Sequence, residues 1–245
     1  MPILVTGGAG YIGSHLVRLL DAQGEDVVVV DDLSFGNRDR IGQAKLVQLD
    51  ISADHAQGVL EATMRDFDVE AVIHFAAQKQ VGVSMERPTY YYRQNVGGMT
   101  NLLAAMESQE VNRLVFSSSA AAYGMLDVEL VTEDMPCNPI NPYGETKLIG
   151  EWMAQRASAA TPLRAASLRY FNIGTGVGSS VFEVIDEISR VTGHSARPQI
   201  APRRPGDPAR VVADVSKATK ALGWSANRGL SEMVESAWAA YQATD

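Results

Sequence analysis

Thr6-Gly-Gly-Ala-Gly-Tyr-Ile-Gly13 decides the reading of this chain. The apolar run Ile3-Leu4-Val5 precedes it and Ser14-His-Leu-Val-Arg-Leu-Leu20 follows, which spells strand, glycine turn and helix start. Gly8, Gly10 and Gly13 have the G-x-G-x-x-G spacing, and Gly7 adds a fourth flexible position. Glycines there permit a tight turn and let backbone amides approach a diphosphate at the helix N-terminus. Further on, Asp26-Val-Val-Val-Val30 ends in Asp31. An acid at the end of the second strand binds ribose hydroxyls and repels a 2′-phosphate. The stretch therefore predicts a dinucleotide site that favours NAD over NADP. A structural turn with a solvated Asp31 is the plainer alternative.

The alternation continues outward from this unit. Strands are expected over 3–5, 26–30, 45–48, 71–75, 113–117 and 165–170, with helices over 14–23, 56–65, 91–108 and 143–157. Short apolar strands separated by helices predict an α/β fold, a doubly wound parallel sheet covered on both faces. Asp50-Ile51, Ala76-Ala77 and the serines at 117–119 follow strand ends, along the edge where such sheets bind ligands. The loop 124–142 holds three prolines; it either covers a site or connects elements at the surface.

Composition narrows the function classes. Lys and Arg number 21 against 29 Asp and Glu, a net charge of -8, and no basic block appears, so no nucleic-acid partner is expected. The single Cys137 excludes an intrachain disulfide and fits a reducing compartment. The histidines at 15, 55, 74 and 194 lack metal-ligand spacing, and His74 reads as a packed strand residue. No apolar run is long enough for a bilayer, and Met1-Pro2 leads straight into the first strand without room for a leader. These features predict a soluble cytoplasmic protein with no membrane partner and no bound metal.

Tyr143-Gly-Glu-Thr-Lys147 is the second chemical signal. A helix puts residues four apart on one face, and an ammonium one turn from a phenol favours the phenolate. Such a tyrosine works as a base near neutral pH, helped by a neighbouring oxidised nicotinamide. Ser119, at the end of Phe116-Ser-Ser-Ser-Ala120, is the serine expected to hydrogen-bond a substrate oxygen. Ser117 and Ser118 are expected to satisfy backbone groups at the strand end.

These residues resemble the extended short-chain dehydrogenase/reductases, and within them the UDP-glucose 4-epimerase family. The likeness rests on the glycine turn, Asp31-Asp-Leu-Ser34, Asp50-Ile51, His74-Phe-Ala-Ala77 with Lys79, and Asn95-Val96. It continues through Ser117-Ser-Ser-Ala-Ala-Ala-Tyr-Gly124, Asn141-Pro-Tyr-Gly-Glu-Thr-Lys147, Leu168-Arg-Tyr-Phe-Asn172 and Arg203-Arg-Pro-Gly-Asp207. The resemblance implies NAD held by Gly7, Gly10, Tyr11, Ile12, Gly13, Asp31, Asp32, Asp50, Ile51, Phe75, Ala76, Lys79, Asn95, Tyr143, Lys147 and Tyr170. It implies Ser119, Tyr143 and Lys147 as the catalytic set, and Ser119, Asn172, Arg204 and Asp207 facing a UDP-sugar. Asp32 stands where these epimerases often have asparagine, which leaves the NAD preference unchanged. Related dehydratases and decarboxylases carry an acid just after the serine or threonine; here Ala120-Ala121-Ala122 follow, so C4 epimerisation fits better than dehydration. The likeness also implies a homodimer through the helices at 91–108 and 143–157.

One departure is large. In the family, several tens of residues of substrate-binding chain separate the Leu-Arg-Tyr-Phe-Asn strand from a later Ile-Gly-Thr-Gly turn. Here Asn172 runs directly into Ile173-Gly-Thr-Gly176. Adjacent parallel strands need a crossover of roughly a dozen residues or more, and none is available there. The expected division is a dinucleotide-binding domain over 1–172 and a reduced substrate-binding segment over 173–245, with helices near 180–192, 216–222 and 230–243. The sheet should end near 165–170, leaving apolar surface exposed. Two functions follow as expectations: a UDP-sugar 4-epimerase with reduced activity, or an NAD-binding relative that has lost its substrate.

Overall fold

The computed structural model describes residues 1–171, 179–195, 198–199 and 212–242. Six strands form one sheet among them: β1 (Ile3–Thr6), β2 (Val27–Asp31), β3 (Lys45–Gln48), β4 (Ala71–His74), β5 (Arg113–Ser119) and β6 (Arg164–Tyr170). The order is β3-β2-β1-β4-β5-β6 and every pair is parallel. The winding reverses between β1 and β4, so the helices that follow these strands diverge and open a crevice above their C-terminal ends.

The helices are α1 (Tyr11–Ala22), α2 (Ala56–Asp66), α3 (Val81–Glu86), α4 (Pro88–Tyr91), α5 (Gly98–Ser108), α6 (Pro142–Ala160), α7 (Val181–Thr192), α8 (Ser216–Leu222) and α9 (Leu230–Gln242). Apolar residues are buried on both sheet faces. Leu4, Val28, Val72, Leu114 and Phe116 pack with Leu60, Met99 and Leu102 on one side. Ile3, Val5 and Val29 pack with Val17 and Ile41 on the other. This two-sided burial accounts for the valine-rich strands.

The expected strands and long helices are present. The helix expected over 91–108 is present but not uniformly α: α4 leads through a π turn over Tyr92–Gly97 into α5, with helical dihedrals at both junctions. The short α3 carries no long apolar pattern and was not expected. Asn141 caps α6 by accepting from the Gly144 N–H at 2.7 Å, with Pro142 at the first helical position.

β6 is an edge strand of the sheet among the described residues, opposite β3, as expected from the junction after Asn172, which itself lies outside them. Arg169 is its one partly covered residue; the other six are exposed, Leu168 and Tyr170 included. The loop 124–141 is tied down at two places, one closing it on itself and one midway along it. Gly124 bridges Asn138, and Val131 bridges Ala213, just before α8.

His74 lies within the sheet at 2% exposure, its Nδ1 2.6 Å from the Thr6 hydroxyl and its ring stacked on Phe116. Burial, and then the Lys147 charge, lower its pKa from 6.5 to about 3. The unfolded chain therefore binds a proton between those values that the folded chain does not. Stability from a neutral His74 is complete above pH 6.5 and is lost as pH falls, by about 1.4 kcal/mol per pH unit. We expect His74→Gln to flatten the pH dependence of urea unfolding between pH 6.5 and 4.5 by about that slope. Equal slopes would mean that His74 takes up its proton while the fold is intact.

Candidate active site

The crevice at the switch point is built first by the glycine turn. Gly7 has φ +69°, and a Cβ there would lie 2.6 Å from the backbone nitrogen of Ala76. A Cβ on Gly13 would collide with the Gly7 carbonyl oxygen. Only glycine permits this approach of α1 to β1 and to the segment after β4. The first turn of α1 has neither a capping side chain nor an acid, and Tyr11, Ile12 and Gly13 line the crevice. Their amides are oriented for an anion.

Gly7, Gly10, Asp31, Asp32, Asp50, Ile51, Phe75, Ala76, Lys79, Tyr143 and Lys147 line the same crevice. Asp31 accepts from the Ala9 N–H through Oδ2 and from the Leu33 N–H through Oδ1, both at 2.9 Å. It thus ties the end of β2 to the glycine turn. Burial pushes its carboxyl above the usual range, and those backbone donors oppose the shift. Asp32 accepts from the Ser34 N–H and hydroxyl. Burial also raises Asp50, but donors from Ser52 and Gln94 outweigh it and leave the carboxyl below its ordinary value.

Two further expected cofactor residues stand next to these. Asn95 is buried one layer behind the crevice wall. Its Oδ1 accepts from the Gln78 N–H at 2.8 Å, and its Nδ2 donates to the Gln78 carbonyl and the Thr146 hydroxyl. Tyr170 ends β6 as the register partner of Ser119. Asn172, Arg204 and Asp207, the expected substrate residues, lie outside the described residues. Conversely, Gln94 from the π turn enters the crevice and donates to Ser52 at 2.6 Å and to Asp50 at 3.3 Å. Its sequence signal is weak, because a lone glutamine in a helix has no chemical pattern around it. Phe35 and Gly36 also line the crevice; a Cβ at Gly36 would meet the Asp31 carboxylate at 2.7 Å.

At one end of the crevice the Ser119 hydroxyl hydrogen-bonds the Tyr143 phenol and accepts from the Ala121 N–H at 3.1 Å. Lys147 is 4% exposed and donates to the Ser117 carbonyl at 2.8 Å. Its ammonium lies 5.2 Å from the Phe116 ring centroid and 5.9 Å from that of Tyr143. Burial lowers the Lys147 pKa to about 8. The Tyr143 phenol, expected to be lowered by Lys147, is instead raised by burial, with Ser119 opposing. The ammonium is oriented toward the Ser117 carbonyl, so desolvation prevails at the phenol. The expectation for Ser118 also changes: its hydroxyl bonds the Glu151 side chain instead of the backbone.

A six-stranded parallel sheet with a glycine turn at the switch point, and a Tyr-x-x-x-Lys helix against a serine-ended strand, define an extended short-chain dehydrogenase/reductase fold. The family model described as "NAD dependent epimerase/dehydratase family" matches residues 3–222. The chain belongs to that family. The UDP-glucose 4-epimerase of Corynebacterium glutamicum is 34% identical over 318 residues, covering 98% of this chain and 95% of the relative. The aligned span of 318 exceeds the 245 residues here, so the relative carries several tens of residues that this chain lacks. The UDP-glucose 4-epimerase of Brucella ovis, solved in complex with NAD, has a TM-score of 0.88 and 32% identity, covering 95% of this chain and 96% of that one. The Stenotrophomonas maltophila enzyme, solved with NAD and formylated UDP-arabinopyranose, has a TM-score of 0.91 and 31% identity, covering 100% and 98%.

Because Asn95 satisfies both backbone groups of Gln78, Asn95→Leu should cost about 1–3 kcal/mol for each group left without a partner. Urea unfolding measures this directly. Unchanged stability would mean that water reaches those groups.

Proposed function

We propose that this chain binds NAD and interconverts a UDP-sugar at C4, of the UDP-glucose/UDP-galactose type, through a transient 4-keto sugar. The observation that carries the reading is the convergence of Ser119, Tyr143 and Lys147 at one end of the crevice walled by the glycine turn. The group fits this crevice: Gly7 and Gly13 allow its close approach, free helix amides suit its diphosphate, and Asp31 suits an unphosphorylated ribose. When bound, NAD would accept and return a hydride, and its oxidised ring would add the positive charge that favours phenolate.

Tyr143 takes the proton of the C4 hydroxyl and later returns it. Ser119 holds the same sugar oxygen and orients the phenol. Lys147 supplies the nearby positive charge from its seat on Ser117. A proton is thus moved at one atom, Tyr143 Oη. Because the reaction has no net redox change, bound NAD would be left unaltered by a turnover and should copurify.

Relatives solved with NAD support the cofactor, and relatives named UDP-glucose 4-epimerase support the substrate class. The division into a dinucleotide-binding part over 1–172 and a reduced substrate segment over 173–245 belongs to the same proposal. So does a homodimer through α5 and α6. A second reading has its own observation. The chain lacks several tens of residues of its relatives and would hold substrate poorly, leaving an NAD-binding protein of weak activity.

NAD should bind much better than NADP, and Asp31→Ala should weaken NAD and narrow the preference; equal affinities in the unaltered protein would refute the role of Asp31. Turnover of UDP-galactose decides between the two readings. If the epimerase reading holds, Tyr143→Phe should remove nearly all of that turnover while NAD stays bound, and Lys147→Ala should move the pH optimum upward. Tight UDP binding by calorimetry would exclude loss of the substrate, whereas no UDP binding and no turnover would leave the NAD-binding reading alone.

A further inference from the structure

A set of polar contacts beside Tyr143 and Lys147 is not used by the proposed chemistry. Glu151 follows Lys147 by one helical turn on α6, so Tyr143, Lys147 and Glu151 form one stripe. The Glu151 Oε1 accepts from the Ser118 hydroxyl and from Arg169 Nε at 2.9 Å. Its Oε2 accepts from Arg169 Nη2 at 2.6 Å. Arg169 stands on β6 directly beside Ser118 on β5. The two charged side chains are 19% and 11% exposed, and the pair is bidentate. The guanidinium also lies 4.6 Å from the Tyr123 ring centroid and donates to the Glu133 carbonyl at 3.4 Å.

Three consecutive residues at the end of β5 therefore each meet one residue of the α6 stripe. Ser117 meets Lys147 through its carbonyl, Ser118 meets Glu151, and Ser119 meets Tyr143. The helix lies close to the strand here, since a Cβ at Gly150 would come within 2.5 Å of the Phe116 ring. The burial of apolar surface is non-directional and does not by itself set one register of a helix on a sheet. A bidentate charge pair has a fixed geometry and resists it strongly.

We propose that Glu151 and Arg169 are positioning residues. Their pair fixes the register of α6 along β5 and β6, and so holds the Tyr143 phenol against Ser119 above Lys147. The inference rests on the proposed role of Tyr143 only for its catalytic consequence. The geometric claim stands apart from it, and so does its test.

The test compares the full NAD-bound chain with Glu151→Gln, Arg169→Met, Arg169→Lys and Ser118→Ala. The first readout is titration of the Tyr143 phenol by ultraviolet difference absorbance, each variant measured against the same variant carrying Tyr143→Phe. The second is kcat and KM with UDP-galactose. Glu151→Gln and Arg169→Met should move the phenol titration to higher pH, because Ser119 no longer faces it. They should lower kcat by about tenfold to a hundredfold with KM little changed. Arg169→Lys should recover part of both effects. Ser118→Ala keeps the ion pair and should show a smaller shift of the same sign; it decides the matter if the charge-pair variants do not fold. A folded Glu151→Gln protein with an unshifted phenol would overturn the proposal and leave the pair as a structural staple. If the unaltered chain turns over no UDP-sugar, the epimerase reading fails, and the phenol titration alone still upholds or overturns the positioning role.

Discussion

The approach of the Gly7 backbone to both Gly13 and Ala76 is the constraint on which the rest of the molecule depends. Side chains are excluded at Gly7 and Gly13, so the start of α1 sits directly over the end of β1. That contact brings the helix N-terminus to the point where the sheet reverses its winding. Asp31 then fastens the turn to β2 by accepting from the Ala9 N–H. The same few atoms set the helix entry angle, the proposed diphosphate seat and the acid proposed to face the ribose.

The opposite end of the crevice is organised by α6. Its stripe of Tyr143, Lys147 and Glu151 meets the serine-ended β5 one residue at a time. Lys147 is buried and donates to the Ser117 carbonyl near the Phe116 and Tyr143 rings, and burial lowers its pKa. Burial also raises the Tyr143 phenol. Within the protein, burial thus outweighs the Ser119 hydrogen bond at the phenol. Under the proposed function the positive charge of bound NAD would oppose that shift, which would tie the proposed acid–base role of Tyr143 to dinucleotide binding.

Beyond β6 the chain is reduced relative to its family. The outermost strand exposes six of its seven residues, and none of the residues of α7 or α8 is buried. Apolar side chains on an uncovered sheet edge favour association. The dinucleotide half, with its core on both sheet faces, does not share this exposure. The reduction thus falls on the part of the molecule expected to hold the sugar nucleotide.

The sequence by itself determined the doubly wound sheet, the glycine turn, Asp31 and the Tyr143–Lys147 stripe. Each is encoded locally, by a period of two or four residues or by glycines whose steric freedom is their signal. Only the tertiary structure decided that Asn95 stands behind the wall, that Gln94 enters through a π turn, and that Ser118 and Arg169 converge on Glu151. These side chains come from separate elements and carry no local pattern, so packing alone brings them together. The direction of the Tyr143 shift was likewise a tertiary matter. Spacing puts an ammonium one turn away, but burial and the carbonyl that holds that ammonium decide which effect prevails.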